Sequence, residues 1–304
     1  MLSYGGIPEE IFQAAGMITV VLLGSEESLV MAHKFVPQHV CSVMRPNFDM
    51  CFREELGFLD GIVFPDICDA IQCLSDVWKL HCPISFHHNI ASVMQDPPSG
   101  LNFMIEEFAR LKAAVEEFFE VEISDEALNK SISVYNENRS FLSRLNGLRR
   151  SKPGVFGARD FSGVVEAGML MSNEEHSRVL HELLEKAEKV NGVCPDGRPR
   201  IVLTGNICQH SLWPVLDLLD GLRIVVADDD LYVGTNYFAT QTKSSTTPIA
   251  ALAERYRKGR GEENGSSFGF FDVDLCDSRL YNNAHFQTRI QAFMEVLESK
   301  PKRR

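Results

Sequence analysis

Leu59-Asp-Gly-Ile-Val-Phe-Pro-Asp-Ile-Cys68-Asp69 sets a short apolar run directly ahead of a Cys-Asp pair. The run from Asp60 to Pro65 has the length of a buried strand and is apolar without alternation. That is the pattern of a strand covered on both faces, as in a parallel sheet flanked by helices. Runs of the same kind recur at Ile18–Leu23, Pro83–Phe86, Arg200–Gly205, Leu222–Asp228 and Phe268–Leu275. Polar segments with helical character separate them. Short apolar strands alternating with helices predict an α/β fold with parallel pairing.

The middle of the chain reads differently. From Leu101 to about Val190 strand signals are nearly absent, and Phe103, Ile105, Phe108, Leu111, Val115 and Phe118 recur at helical spacing. Ser124-Asp-Glu-Ala127 predicts an N-cap with acids in the first turn, opening a long helix to Leu148. Another helix is expected from Asp160 to Val190, broken at Ser172-Asn173. Near the start, Ile7–Gly16 predicts a short helix. Pro8 and the acids Glu9 and Glu10 suit its first turn, and Gly16 suits its stop. After position 196 helices are expected at Ser211–Leu219, Pro248–Arg257 and Phe286–Leu297. The organisation expected is therefore two parallel-sheet lobes of Rossmann or flavodoxin type with a helical layer between them. The regions are 1–98 (with Cys41 and Cys68), 99–195 (helical) and 196–304 (with Cys276).

Thirty Lys and Arg against 42 Asp and Glu leave a net charge of −12 on 304 residues. Phosphate neutralisation needs clustered cations, so nucleic-acid binding is not expected. No apolar stretch approaches the ~20 residues of a membrane helix. No basic segment followed by an apolar one opens the chain, so no signal peptide and a cytoplasmic location are expected. In a reducing compartment disulfides are disfavoured, which leaves metal binding or plain burial for the eight cysteines.

Three of those cysteines stand at chemically useful places. Cys68 follows a strand, Cys276 follows another in Phe270-Phe-Asp-Val-Asp-Leu-Cys276-Asp277, and Cys41 follows a turn at Pro37. Carboxyl ends of parallel strands face the ligand crevice of an open α/β sheet. Thiolates converging there would select iron–sulfur clusters, zinc or copper(I). The spacing is not CxxC, and a buried Cys is also an ordinary small hydrophobe. Cys73 is expected in the core. His87-His88 suits a surface or loop role better than metal ligation. Asp228-Asp229-Asp230 could bind Mg²⁺ or simply end a strand in water. The G-x-x-x-x-G-K-[ST], G-x-S-x-G and G-x-G-x-x-G patterns are absent, so ATP hydrolysis, hydrolase and NAD chemistry lack support.

Several segments together resemble the 2-hydroxyacyl-CoA dehydratase and benzoyl-CoA reductase subunit family. They are Pro8-Glu-Glu-Ile-Phe-Gln-Ala-Ala-Gly-Met17, Cys41-Ser42, Leu59 to Trp78, Tyr135-Asn-Glu-Asn-Arg139, Leu145-Asn-Gly-Leu-Arg149, Leu203-Thr-Gly205, Val225-Val-Ala-Asp-Asp229, Ala250 to Tyr256 and Thr288 to Glu295. The resemblance implies a [4Fe-4S] cluster on Cys41, Cys68 and Cys276. It also implies a paralogous partner subunit in a heterodimer, an ATP-dependent activator iron–sulfur protein that delivers one electron, and an acyl-CoA substrate. Water would leave an (R)-2-hydroxyacyl-CoA through a ketyl radical. The implied alternatives are a benzoyl-CoA reductase-like or double-cubane-type reductase subunit, or a structural or electron-relay subunit without catalysis. Glu10 is a candidate acid–base or positioning group, set against a plain first-turn helix charge. Arg139, Arg144, Arg149, Arg150 and Lys152 offer a basic face for CoA phosphates, set against ordinary helix solvation.

Overall fold

The computed structural model describes residues 2–3, 6–25, 27, 29–37, 40, 44–91, 99–190, 198–205, 209–258 and 269–273. In chain order the elements are β1 (Leu2–Ser3), α1 (Glu9–Ala14), β2 (Val20–Val21), α2 (Ala32–Phe35), α3 (Met44–Phe52), β3 (Gly61–Asp66), α4 (Asp69–His81) and β4 (Phe86–Ala91). Next come α5 (Ser99–Phe119), α6 (Asp125–Ser151), α7 (Ala158–Gly168) and α8 (Asn173–Lys189). The last are β5 (Arg200–Gly205), α9 (Gln209–Gly221), β6 (Val225–Asp229), α10 (Thr235–Phe238), α11 (Pro248–Lys258) and β7 (Gly269–Val273). The strands form two parallel sheets, ordered β2-β1-β3-β4 and β6-β5-β7. The α/β class and the parallel pairing therefore hold. The helix expected at Phe286–Leu297 lies outside the described residues.

β3 shows why its run carries no alternation. Ile62 and Phe64 pack with Phe48 of α3 and Ile71, Leu74 and Trp78 of α4. Val63 packs on the opposite side with α1, α5 and α11, among them Ile11, Phe108 and Leu252. Both faces are covered, so every position is apolar. Gly61 is required where β3 meets β4, because a Cβ there would lie 2.8 Å from the Cβ of Phe86.

Three strands depart from the sequence reading, one of them β6, which begins at Val225 rather than Leu222. Among the described residues the Ile18–Leu23 run pairs only at Val20 and Val21, with Leu2 and Ser3 of β1. β4 starts where Pro83–Phe86 was expected to end and continues through His87, His88 and Asn89, in register with Gly61–Asp66. Polar residues are tolerated there because β4 is the edge strand among the described residues. Its outer backbone groups are met by α5: Arg110 donates to the Asn89 carbonyl at 3.0 Å, and Glu107 accepts from the Ala91 N–H at 2.9 Å. Charged side chains on an exposed edge also discourage pairing with another chain.

The helical middle follows its local signals closely. The Ser124 hydroxyl caps α6 by accepting from the Ala127 N–H at 3.1 Å. Ser172 caps α8 in the same way at the expected break, 3.3 Å from the Glu175 N–H. On α5 the buried stripe is Met104, Phe108, Leu111 and Val115. Phe103 and Phe118 fall off that stripe and are exposed. α6, α7 and α8 share a core with Val21, Leu23, Val233 and Phe238, which ties both sheet regions to the helical middle. Among the described residues no helix is long and apolar enough to cross a membrane.

Candidate functional site

Cys68 stands where β3 hands over to α4. It takes the N-cap position with extended backbone (φ −162°, ψ 158°), and its carbonyl accepts from the Ile71 N–H at 3.0 Å. Its thiol is free and exposed. Cys68 opens a 13-residue helix, and its side chain makes no capping hydrogen bond. Cys41 and Cys276 lie outside the described residues. Among the described residues no group of three or more His, Cys, Asp or Glu side chains is arranged to hold a metal ion. Cys73 is exposed on α4, which corrects the core position expected for it.

The first turn of α1 carries the strongest buried electrostatics. Glu10 is fully buried, with Arg139 of α6 at 2.7 Å and Arg255 of α11 at 4.0 Å. The Tyr256 hydroxyl donates to its other oxygen at 3.3 Å. Burial opposes ionisation of Glu10, but the two guanidiniums outweigh it and hold the carboxyl below the usual range. Glu9 is also buried, and its side chain accepts from the Tyr237 hydroxyl at 3.2 Å. Burial, reinforced by the charge on Glu10, pushes its carboxyl up to about 7. Neighbouring carboxylates in one pocket are thus driven apart: one stays charged, the other can gain or lose a proton near neutrality. Neither is the solvated first-turn charge that the sequence alone suggests, since the packing of α6, α10 and α11 over α1 excludes water.

The side chains of the basic face on α6 are engaged within the chain, two of them buried. Arg139 is spent on Glu10. Arg149 is buried against Asp229 at 2.7 Å and Asp228 at 3.4 Å, and Arg150 also pairs with Asp228. Arg144 pairs with Glu188, and Lys152 donates to the carbonyls of Glu188 and Val190. The same contacts correct the two readings of the acidic run at Asp228 and Asp229, whereas Asp230 just past the strand is exposed. Asp228 and Asp229 are neither solvated nor a Mg²⁺ site, being buried beneath Arg149. Asn146 donates to Asp228 at 3.0 Å, and the Thr235 N–H donates to Asp229 at 2.8 Å. This network joins α6 to the carboxyl end of β6.

A cavity of about 530 Å³ opens beside β4, lined by Asp66, Ser75, Lys79, His87, His88 and Arg110 among others. It holds a Ser75–His87 contact of 3.1 Å. That pair is not a nucleophile with its base. His87 Nε2 lies 3.2 Å from the Ser75 carbonyl, which can only accept, so this nitrogen carries the hydrogen. The Ser75 hydroxyl donates to Asn89 at 2.6 Å. The contacts fasten α4 to β4, and His87 and His88 prove to be half-buried strand residues rather than surface or loop ones. Burial and the nearby Arg110 charge lower His88 to about 4.

The disulfide-free expectation also needs correction. Cys51, at the end of α3, and Cys82, at the C-cap of α4, are joined. No motif marks these two positions. Their proximity follows from the packing of α3 and α4 on one face of β3.

Residues 5–261 match the family model described as 2-hydroxyglutaryl-CoA dehydratase, D-component. A benzoyl-CoA reductase subunit from Thauera aromatica is 29% identical over 254 residues, covering 81% of this chain and 64% of that protein. The (R)-phenyllactyl-CoA dehydratase beta subunit of Clostridium sporogenes is 24% identical over 295 residues, 90% and 78% of the two chains. The beta subunit of lactoyl-CoA dehydratase from Anaerotignum propionicum is 29% identical over 226 residues, 74% and 59%. The chain thus spans less than two thirds of the length of the first and third of these relatives.

Proposed function

The chain belongs to the 2-hydroxyglutaryl-CoA dehydratase, D-component, family, and on that premise we propose that it is the iron–sulfur subunit of a cytoplasmic 2-hydroxyacyl-CoA dehydratase. The reaction proposed is loss of water from an (R)-2-hydroxyacyl-CoA by way of a ketyl radical, after one-electron activation by an ATP-dependent partner protein. A second, paralogous subunit would complete the enzyme. The names of the relatives support this partnership, two being beta subunits of dehydratases. The two-lobed arrangement, with regions 1–98, 99–195 and 196–304, is part of the same proposal.

The observation that carries the reading is the family match over residues 5–261, which includes Cys68 at a strand end. There the sulfur is free, exposed and set at a helix N-terminus. Those features fit a thiolate ligand to iron, and we assign Cys41, Cys68 and Cys276 to a [4Fe-4S] cluster. When bound, such a cluster supplies one-electron chemistry and a Lewis-acidic iron. The chain's own part is to deliver the thiolates and to exclude water. The acid–base role expected of Glu10 passes, in this proposal, to Glu9. Glu10 is committed to Arg139 and Arg255, whereas Glu9 titrates near neutrality.

A reductase reading is favoured by one specific finding, the likeness to the benzoyl-CoA reductase protein of Thauera aromatica. Anaerobic purification with iron and sulfide analysis tests the shared premise. Stoichiometric iron that is lost in Cys68→Ser, in a variant that keeps its far-ultraviolet circular dichroism and unfolds cooperatively, is the expected result. A chain without iron, or with zinc in its place, would refute the cluster assignment. Redox-neutral release of water then identifies a dehydratase, and net electron consumption a reductase.

A further inference from the structure

The structure assigns Cys51 and Cys82 a role the family reading leaves untouched: we propose that they form a reversible redox clip between the carboxyl ends of α3 and α4. Their Cα atoms are 6.0 Å apart, inside the ~4.4–6.8 Å range that a disulfide spans without backbone movement. Cys51 sits in the last turn of α3, and Cys82 follows α4 directly. Helix ends open more readily than helix middles, so a small reagent reaches both sulfurs through a local opening. The backbone bonds that close these ends include Cys82 N–H to the Trp78 carbonyl at 2.8 Å and Glu54 N–H to the Cys51 carbonyl at 3.0 Å.

Both oxidation states suit this position. The two cysteines are buried in the cluster of Phe48, Ile62, Leu74 and Trp78. As thiols they pack there as small hydrophobes, and the cluster does not need the bond to close. The linked form additionally closes a loop of separation 31, removing freedom from the unfolded chain. Cys68 and Cys73 are exposed and not linked to each other, unlike this buried pair. The clip joins the far end of α4 to α3, whereas Cys68 caps the near end of α4. Linking or freeing the far end therefore changes how firmly the helix that presents Cys68 is held.

The chemistry is thiol–disulfide exchange with a small disulfide such as oxidised glutathione. One thiolate attacks the oxidant and releases one small thiol. The second cysteine attacks the mixed disulfide and releases the other. The two protein thiols give up two protons and two electrons, and the oxidant's S–S bond takes them up as two thiols.

The test equilibrates the full chain without oxygen in glutathione buffers from fully reduced to fully oxidised. Samples are quenched with acid, alkylated and mapped by mass spectrometry. A peptide joining Cys51 to Cys82 should appear and disappear across the series. The linked form should melt roughly 7 °C higher, from the loop it closes. Cys82→Ala should abolish both the link and the shift, and Cys73→Ala should retain both. The proposal fails if the link is absent at every ratio. It fails equally if the link survives the most reducing buffer, which would make it a fixed staple, or if the shift persists in Cys82→Ala.

Discussion

Replacing Glu9 by glutamine should stabilise the protein at alkaline pH and leave it unchanged in acid. Glu9 is buried, and its carboxyl is raised from 4.5 to about 7, chiefly by burial and then by Glu10. A raised carboxyl is protonated in the folded state while the unfolded chain ionises. Its stabilising contribution is thus complete below pH 4.5 and declines as pH rises towards the folded value. The decline over that window is about 3 kcal/mol, at 1.36 kcal/mol per pKa unit. The amide of Glu9→Gln would mimic the protonated acid and still accept from Tyr237. The variant and the natural chain should therefore melt together near pH 4. At about pH 8 the variant should melt roughly 6 °C higher, taking about 2 °C per kcal/mol for a chain of this size. Circular dichroism melts at the two pH values measure the difference. Equal midpoints at pH 8, or a less stable variant, would refute the account, since Glu9 would then be ionised and compensated within the fold. Glu10→Gln provides the contrast. It removes the buried partner of Arg139 and Arg255, and should cost about 3–5 kcal/mol near neutral pH with no gain at alkaline pH.

Two further outcomes test the rest of the structure. Arg149→Met leaves Asp228 and Asp229 buried with too little positive charge, so it should cost about 3–5 kcal/mol by urea unfolding; Asp228→Asn together with Asp229→Asn should recover part of the loss. Gly168→Ala places a Cβ 2.6 Å from the His176 ring, which is itself held by Asn138 and by the Val164 carbonyl at 3.0 Å. A loss of about 1–3 kcal/mol is expected, and it should shrink in the His176→Ala background; an equal loss there would show that the clash is not its cause.

Much of the scaffold is legible along the chain because its causes are local. Ser124 and Ser172 cap the next helix through N–H groups three residues on. The unbroken apolar run at β3 announces a strand covered on both sides. Gly16, with φ of +79°, ends α1 where a stop is expected. Edge and length errors arise where the partner sets the outcome: among the described residues β2 pairs only opposite Leu2 and Ser3, and β4 keeps His87-His88-Asn89 where nothing pairs beyond it.

The sequence by itself determined the α/β class, the helical middle, the family likeness and the strand-end setting of Cys68. Each of these is carried by spacing within a turn of helix, an unbroken apolar run along a strand, or motifs kept in order. Only the tertiary structure decided which charges are spent on one another. Arg139 lies 129 positions from Glu10, and Arg149 lies 79 positions from Asp228. Cys51 lies 31 positions from Cys82. Such pairs leave no periodic trace, because what unites them is the packing of whole elements and the cost of burying a charge without its counterpart. The basic stripe on α6, open along the chain between a phosphate face and plain solvation, divides once folded: Arg139 and Arg149 enter two buried ion-pair networks, and Arg144 stays in an exposed pair with Glu188.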